Sequence, residues 1–317
     1  VFGVLSIATA FVSDFWMLVI VRVLTGIGLG GAMPNLIALS SEAVPPRLRG
    51  TAVSIMYCGI PLGGGIAATI GMLAVSDADW RHIFYAGGIG PLLLLPLLAW
   101  CLPESRAFAA ATSQGQRATP APMMTVLFSE GRGISTIQLW LSYFCTLIVL
   151  YFLLNWLPSL MGARGLARGD IGWVQILFNV GSAVGVLALG YLMDRARMSL
   201  VIGGMYLGMI ASLVGLAAAQ GFGVLATAAF FAGMFIIGGQ SVLYALAAAY
   251  YPTAMRGTGV GAAVAFGRIG SVVGPLAAGM LLAVGSSAAL VIGASIPVTI
   301  VAALAALMLI RRPRAAD

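Results

Sequence analysis

The stretch YPTAMRGTGV at Tyr251–Val260 restates PPRLRGTAV at Pro45–Val53, 207 positions earlier. Both carry Pro-x-x-x-Arg-Gly-Thr-x-Val. At the same offset Gly26 meets Gly233, Gly31 meets Gly238, Leu36 meets Leu243, Ala38 meets Ala245 and Leu39 meets Leu246. A match that reaches this far back marks two halves of one architecture, and a repeat of this kind constrains every local reading that follows.

Composition says where such a repeat can live. Of 317 residues, 61% are hydrophobic and 8% charged, with a mean hydropathy of +1.06. A soluble domain carries about 25% charged residues, so this chain lacks the polar groups to cover a water-facing surface. It reads as a membrane protein. The net charge of +7 comes from 16 arginines against nine acids, without a lysine. The arginines stand singly between apolar runs and form no basic aromatic patch, which argues for topology-setting loop charge and against nucleic acid as a partner. Cys58, Cys101 and Cys145 lie in apolar runs without CxxC spacing. That fits packing and says nothing of redox compartment.

Ten apolar segments follow: Val1–Val12, Phe15–Ser40, Thr51–Val75, His82–Leu102, Ile137–Met161, Ile171–Tyr191, Ser199–Ala219, Gly223–Tyr250, Thr258–Val284 and Ala288–Ile310. The first is too short to cross a hydrocarbon core of about 30 Å and lacks the features of a signal peptide. It reads as the end of a helix that begins earlier. Taking the gaps alternately, eleven arginines fall on one side and only Arg81, Arg164 and Arg168 on the other. The arginine-rich side, which includes the C-terminus, is expected to be cytoplasmic. The polar run in residues 103–136 reads as a cytoplasmic linker between a first bundle, 1–102, and a second, 137–317. Both copies of the repeat then start on the same side, each between the exit of one helix and the entry of the next. Parallel halves related by an axis along the membrane normal, six helices each, are expected. The first half supplies four segments, one a stub, so two helices and most of a third would be absent from it.

Three short motifs now become specific. Arg22-Val-Leu-Thr-Gly26-Ile-Gly28 resembles the fourth-helix signature of the major facilitator superfamily. Gly190-Tyr-Leu-Met-Asp194-Arg195 resembles its Asp-Arg loop signature, and Leu102-Pro-Glu104-Ser105 the ending of its sixth helix. Within that superfamily PNLIALSSEAV, RGTAVSIMYCGIP and GGQSVLYALA are similar to the aromatic acid:proton symporters, 3-(3-hydroxyphenyl)propionate transporters most of all. Gly59-Ile-Pro61-Leu-Gly63-Gly64 only partly matches the fifth-helix signature of drug antiporters, which weakens an exporter reading. The resemblance implies an all-α major facilitator fold in a bacterial inner membrane. It further implies a monomer without cofactor that imports a small aromatic acid with protons by alternating access. The coupling acids of the family belong to a first helix not contained here, and Arg22 is associated with them. Bracing of neighbouring helices is the other reading of Arg22.

Arg22 and Arg268 are the only charges well inside apolar segments. Arg268 lies about 15 Å along its helix from the expected cytoplasmic end. A charge at that depth costs at least about 2.5–3.5 kcal/mol, so it must face the protein interior and find a partner. No carboxylate is embedded in any span. The partner is therefore a set of carbonyls, an acid from elsewhere, or the carboxylate of a substrate, which a guanidinium fork suits better than a lysine would. A structural ion pair is the alternative. Tyr151/Asn155, Gln175/Asn179 and Gln240/Tyr244 are i, i+4 pairs, so each shares a helix face. With Tyr57 and Tyr143 they are candidates to line a cavity for an aromatic acid, or else to glue helices together. Glu42, Arg49, Asp194, Arg195 and Arg256 sit at the cytoplasmic rim and read as gate elements. The lone His82 has no partner motif. HExxH, an embedded Asp pair and Gly-x-Ser-x-Gly are all missing, so neither catalytic nor metal chemistry is expected. A uniporter, an exporter of another organic anion and a non-transporting receptor remain the competing functions.

Overall fold

In their described residues the ten apolar runs fold as helix, because a backbone in lipid must satisfy its hydrogen bonds within its own segment. The computed structural model describes residues 1–42, 44–45, 49–73, 81–101, 127–129, 132–251 and 256–312. Its helices are α1 Phe2–Thr9, α2 Phe15–Glu42, α3 Arg49–Tyr57, α4 Gly59–Leu73, α5 Arg81–Cys101 and α6 Gly133–Ala163. There follow α7 Arg168–Arg195, α8 Met198–Ala218, α9 Phe222–Tyr250, α10 Arg256–Ala283, α11 Ala288–Gly293 and α12 Ser295–Ile310. Two runs expected as single helices are interrupted, at Cys58 and at Ala294. Both breaks are one residue wide, and the ladder resumes at once through Leu62 N–H to Cys58 O and Ala294 N–H to Leu290 O. Among the described residues seven helices are long and apolar enough to cross a membrane, counting each interrupted run as one. This is a multi-pass all-α membrane protein.

The chain packs as two units, Val1–Met56 with Ile66–Ala118, and Tyr57–Gly65 with Thr119–Asp317. In the first unit α1 lies on α5 and α2. Small residues let α1 and α5 meet: a Cβ on Gly88 would fall 2.6 Å from Gly3 O. Ser6 donates to Phe84 O, and Arg81 Nε donates to Ala10 O at 2.8 Å, closing the end of α1. Asp14 Oδ1 accepts from the amides of Trp16 and Met17 and so caps α2.

In the second unit α6 packs against α10 and α12, α7 against α9, and α8 against α9 and α12. Apolar burial cannot by itself bind helices in lipid; close backbone approach does. Gly181 and Gly185 on α7, spaced i, i+4, would place a Cβ 1.9 Å from Phe230 O and 2.0 Å from Met234 O of α9. Gly233 of α9 answers against Phe178 O at 1.9 Å. Gly270 and Gly274 on α10 repeat the spacing against Phe144 O and Ile148 O of α6, each at 2.3 Å. Glycine at those positions is what permits the two contacts.

Buried hydroxyls add direction to this packing. Ser142 and Thr146 of α6 each lie 2.9 Å from the Tyr206 hydroxyl of α8. Tyr250 donates to Leu309 O at the end of α12, and Tyr251 meets Thr136 Oγ1 at 3.0 Å near the start of α6. Thr136 in turn donates to Leu127 O. The turns after α6 and α10 pass through Gly165 and Gly285 at φ 81° and 82°, a left-handed conformation that favours glycine.

Candidate functional site

Gly267 and Gly270 press α10 onto α6, and Arg268 stands between them. Its Nη1 donates to the Tyr151 hydroxyl of α6, and its guanidinium carbon lies 5.9 Å from the Tyr151 ring centre. Arg268 is exposed, and no carboxylate among the described residues pairs with it. The partner is thus a neutral phenol, which none of the three sequence-based alternatives named. One engaged donor leaves most of the five-donor fork uncommitted.

Next to this pair stand three more tyrosines. Tyr57 and Tyr244 have ring centres 5.8 Å apart, tilted by 46°. Tyr143 meets Tyr244 edge to face at 6.0 Å and 81°. Gly267 lets Tyr143 sit there: a Cβ on it would fall 3.2 Å from that of Tyr143 and 2.6 Å from Leu147 Cδ1. Arg268 and Tyr151 are near enough to act electrostatically on Tyr57. The second unit therefore gathers Tyr57, Tyr143, Tyr151, Tyr244 and Arg268 into one group of aromatic faces with a single cation.

The remaining amides have other surroundings. Asn155 and Asn179 donate to the carbonyls of Tyr151 and Gln175, each four residues back on its own helix. Their i, i+4 pairings are thus realised through the backbone. Asn179 is buried, and Gly64 comes so near that a Cβ there would fall 2.2 Å from Asn179 Oδ1. Gln175 Oε1 is buried without a hydrogen-bond partner, and Gln240 is half-buried one turn before Tyr244.

In the first unit Arg22 lies 4.5 Å from the Phe84 ring centre, a cation–π contact between α2 and α5. Arg195 is exposed and stacks on Tyr191 at 4.5 Å. The side chains of Glu42, Arg49, Asp194 and Arg256 lie outside the described residues, as does the Leu102-Pro-Glu104-Ser105 motif. No cluster of His, Cys, Asp or Glu among the described residues could hold a metal.

Several contacts were not legible in the sequence. Trp156 donates its indole N–H to Pro275 O at 3.0 Å and pins α6 to the proline-bearing turn of α10. Arg164, counted only as loop charge, donates to Ala217 O and Ala219 O and so caps the end of α8. Burial there lowers its pKa below the usual arginine value. Burial also pushes the Tyr251 hydroxyl up, against the opposing pull of Thr136 and the Arg132 charge.

The family model of the Major Facilitator Superfamily matches residues 1–167 and 139–317. The chain belongs to that superfamily. Among its relatives, the 3-(3-hydroxy-phenyl)propionate transporter of Escherichia coli is 48% identical over 314 residues, which cover 98% of this chain and 75% of that protein. The gallate transporter of Pseudomonas putida is 38% identical, over 90% of this chain and 69% of its own length. The 4-hydroxybenzoate transporter PcaK of the same species is 35% identical, over 90% and 70%. These relatives are transporters, not enzymes. Among solved structures, a D-xylose-proton symporter superposes with a TM-score of 0.72 at 20% identity, over 99% of this chain and 79% of that one. A bacterial homologue of the lysosomal transporter Spinster, inward-facing and occupied, gives 0.66 at 15% identity, over 98% and 80%. Both support the superfamily fold.

Proposed function

We propose that this major facilitator transporter imports a hydroxylated aromatic carboxylic acid, of the hydroxyphenylpropionate kind, together with protons by alternating access. The observation that carries the reading is Arg268: a cation inside an apolar helix, held by the neutral Tyr151 and flanked by the rings of Tyr57, Tyr143 and Tyr244. A substrate carboxylate brings the charge that the protein withholds there. The tyrosine faces receive the ring by edge and offset contacts. The compounds for which the relatives are named, hydroxyphenylpropionate, gallate and hydroxybenzoate, each join a carboxylate to a hydroxylated ring. Arg22, Glu42, Arg49, Asp194, Arg195 and Arg256 serve coupling and gating in this reading. Asn155, Gln175, Asn179 and Gln240 supply further polar wall. The protein works as a monomer in a bacterial inner membrane, with its C-terminus in the cytoplasm.

The test is uptake of labelled 3-(3-hydroxyphenyl)propionate into vesicles holding the intact protein, with and without an imposed inward proton gradient. Accumulation only with the gradient supports symport; equilibration without accumulation identifies a uniporter. In Arg268→Leu, loss of charge-assisted bonds worth about 3 kcal/mol together weakens affinity about 100-fold. Unchanged affinity at normal abundance removes Arg268 from the site.

A further inference from the structure

We infer that the Tyr143 hydroxyl is the specificity determinant for a neutral ring hydroxyl on the substrate. Four tyrosines are buried among the described residues: Tyr143, Tyr206, Tyr250 and Tyr251. The fold supplies a hydrogen-bond partner to three of them, through Ser142 and Thr146, Leu309 O, and Thr136. Tyr143, at 0% exposure, has none. A buried hydroxyl without a partner carries a desolvation cost that a ligand group can relieve. Its place in the cluster says which ligand group. The ring is edge-on to Tyr244, which itself lies beside the tilted ring of Tyr57, and it is seated against Gly267, the residue before Arg268. Arg268 is the only cation of the cluster, so the charged end of a ligand goes there. The Tyr143 end is walled by aromatic rings and takes a neutral group that can both donate and accept. A phenolic hydroxyl does both.

This inference rests on the proposed substrate class, and the experiment separates the two. Binding of 3-(3-hydroxyphenyl)propionate and of 3-phenylpropionate is measured on the intact protein in detergent, for the natural sequence, Tyr143→Phe and Arg268→Leu. The natural protein is expected to prefer the hydroxylated acid about tenfold, because a site built around a hydroxyl loses a partner when the ligand lacks one. In Tyr143→Phe the ratio should collapse to within about twofold, chiefly by weaker binding of the hydroxylated acid. A ratio retained in Tyr143→Phe, or an equal loss for both acids, overturns the assignment. So does a ratio near one in the natural protein, a result that needs no variant to fold. Failure of both acids to bind refutes the substrate class and this inference with it. Arg268→Leu binding both acids as before, while Tyr143→Phe loses the preference, refutes only the carboxylate role of Arg268.

Discussion

Gly185→Ala tests whether backbone approach between α7 and α9 holds the second unit together. A Cβ at this position would stand 2.0 Å from Met234 O, 2.6 Å from its carbonyl carbon and 2.7 Å from its Cα. These are main-chain atoms of a helix and cannot rotate aside as a side-chain tip can. Ordinary contact lies near about 3.5 Å, so the helices must part by about 1.5 Å. Overpacking of this kind costs about 1–3 kcal/mol. In a unit of this size each kcal/mol moves the melting temperature by about 2–4 °C, so a fall of about 2–12 °C is expected. The assay is thermal unfolding of the purified protein in detergent, followed by intrinsic fluorescence. Gly204→Ala is the control: that glycine is exposed on α8 with open space around it, and alanine is the better helix former. Its melting temperature should hold or rise. A Gly185→Ala protein that melts with the natural one, or a Gly204→Ala protein that falls as far, refutes the argument.

Tyr206→Phe removes the shared partner of Ser142 and Thr146, and interhelical bonds of this kind average about 0.6 kcal/mol each. A loss of about 1–2 kcal/mol by thermal unfolding, with substrate affinity unchanged, is the expected pattern. Tyr251 should make the protein alkali-sensitive. Its folded hydroxyl titrates above the ordinary phenol value because burial disfavours the phenolate, while the unfolded chain titrates near about pH 10. The stabilisation is whole below that pH and is lost as pH rises through the raised folded value. Melting temperature should therefore drop more steeply above pH 10 in the natural protein than in Tyr251→Phe.

The helices were legible because apolar run length in lipid leaves the backbone one choice, and the repeat was legible because its glycines and its Arg-Gly-Thr survive in both copies. The interruptions at Cys58 and Ala294 each fall three residues before a proline, Pro61 and Pro297, which lacks the N–H that would continue the ladder; hydropathy does not register them, and Pro91, Pro96, Pro158 and Pro275 sit inside unbroken helices. The candidate site divides in the same way. Arg268 announced itself as a charge where none is cheap, and Tyr151 and Tyr244 by their helical spacing. That Tyr151 is the partner of Arg268 depends on which faces α6 and α10 present to each other, which Gly267 and Gly270 decide in three dimensions. Ser142 and Thr146 gave no signal, because a hydroxyl on an apolar helix is common and only Tyr206, 60 positions beyond Thr146, gives the pair a meaning.

Residues Tyr57–Gly65 belong by packing with chain that begins more than 50 positions later. A gene cut within the stretch between α5 and α6 would therefore not yield a self-sufficient second polypeptide. The later piece, expressed alone, would present Tyr244 without the ring of Tyr57 beside it and Asn179 without Gly64 against its amide. Supplying the earlier piece from a second plasmid would restore both contacts in trans. Such a pair should complement each other, and mutations at Tyr57 or Gly64 in the first fragment should register as instability of the second.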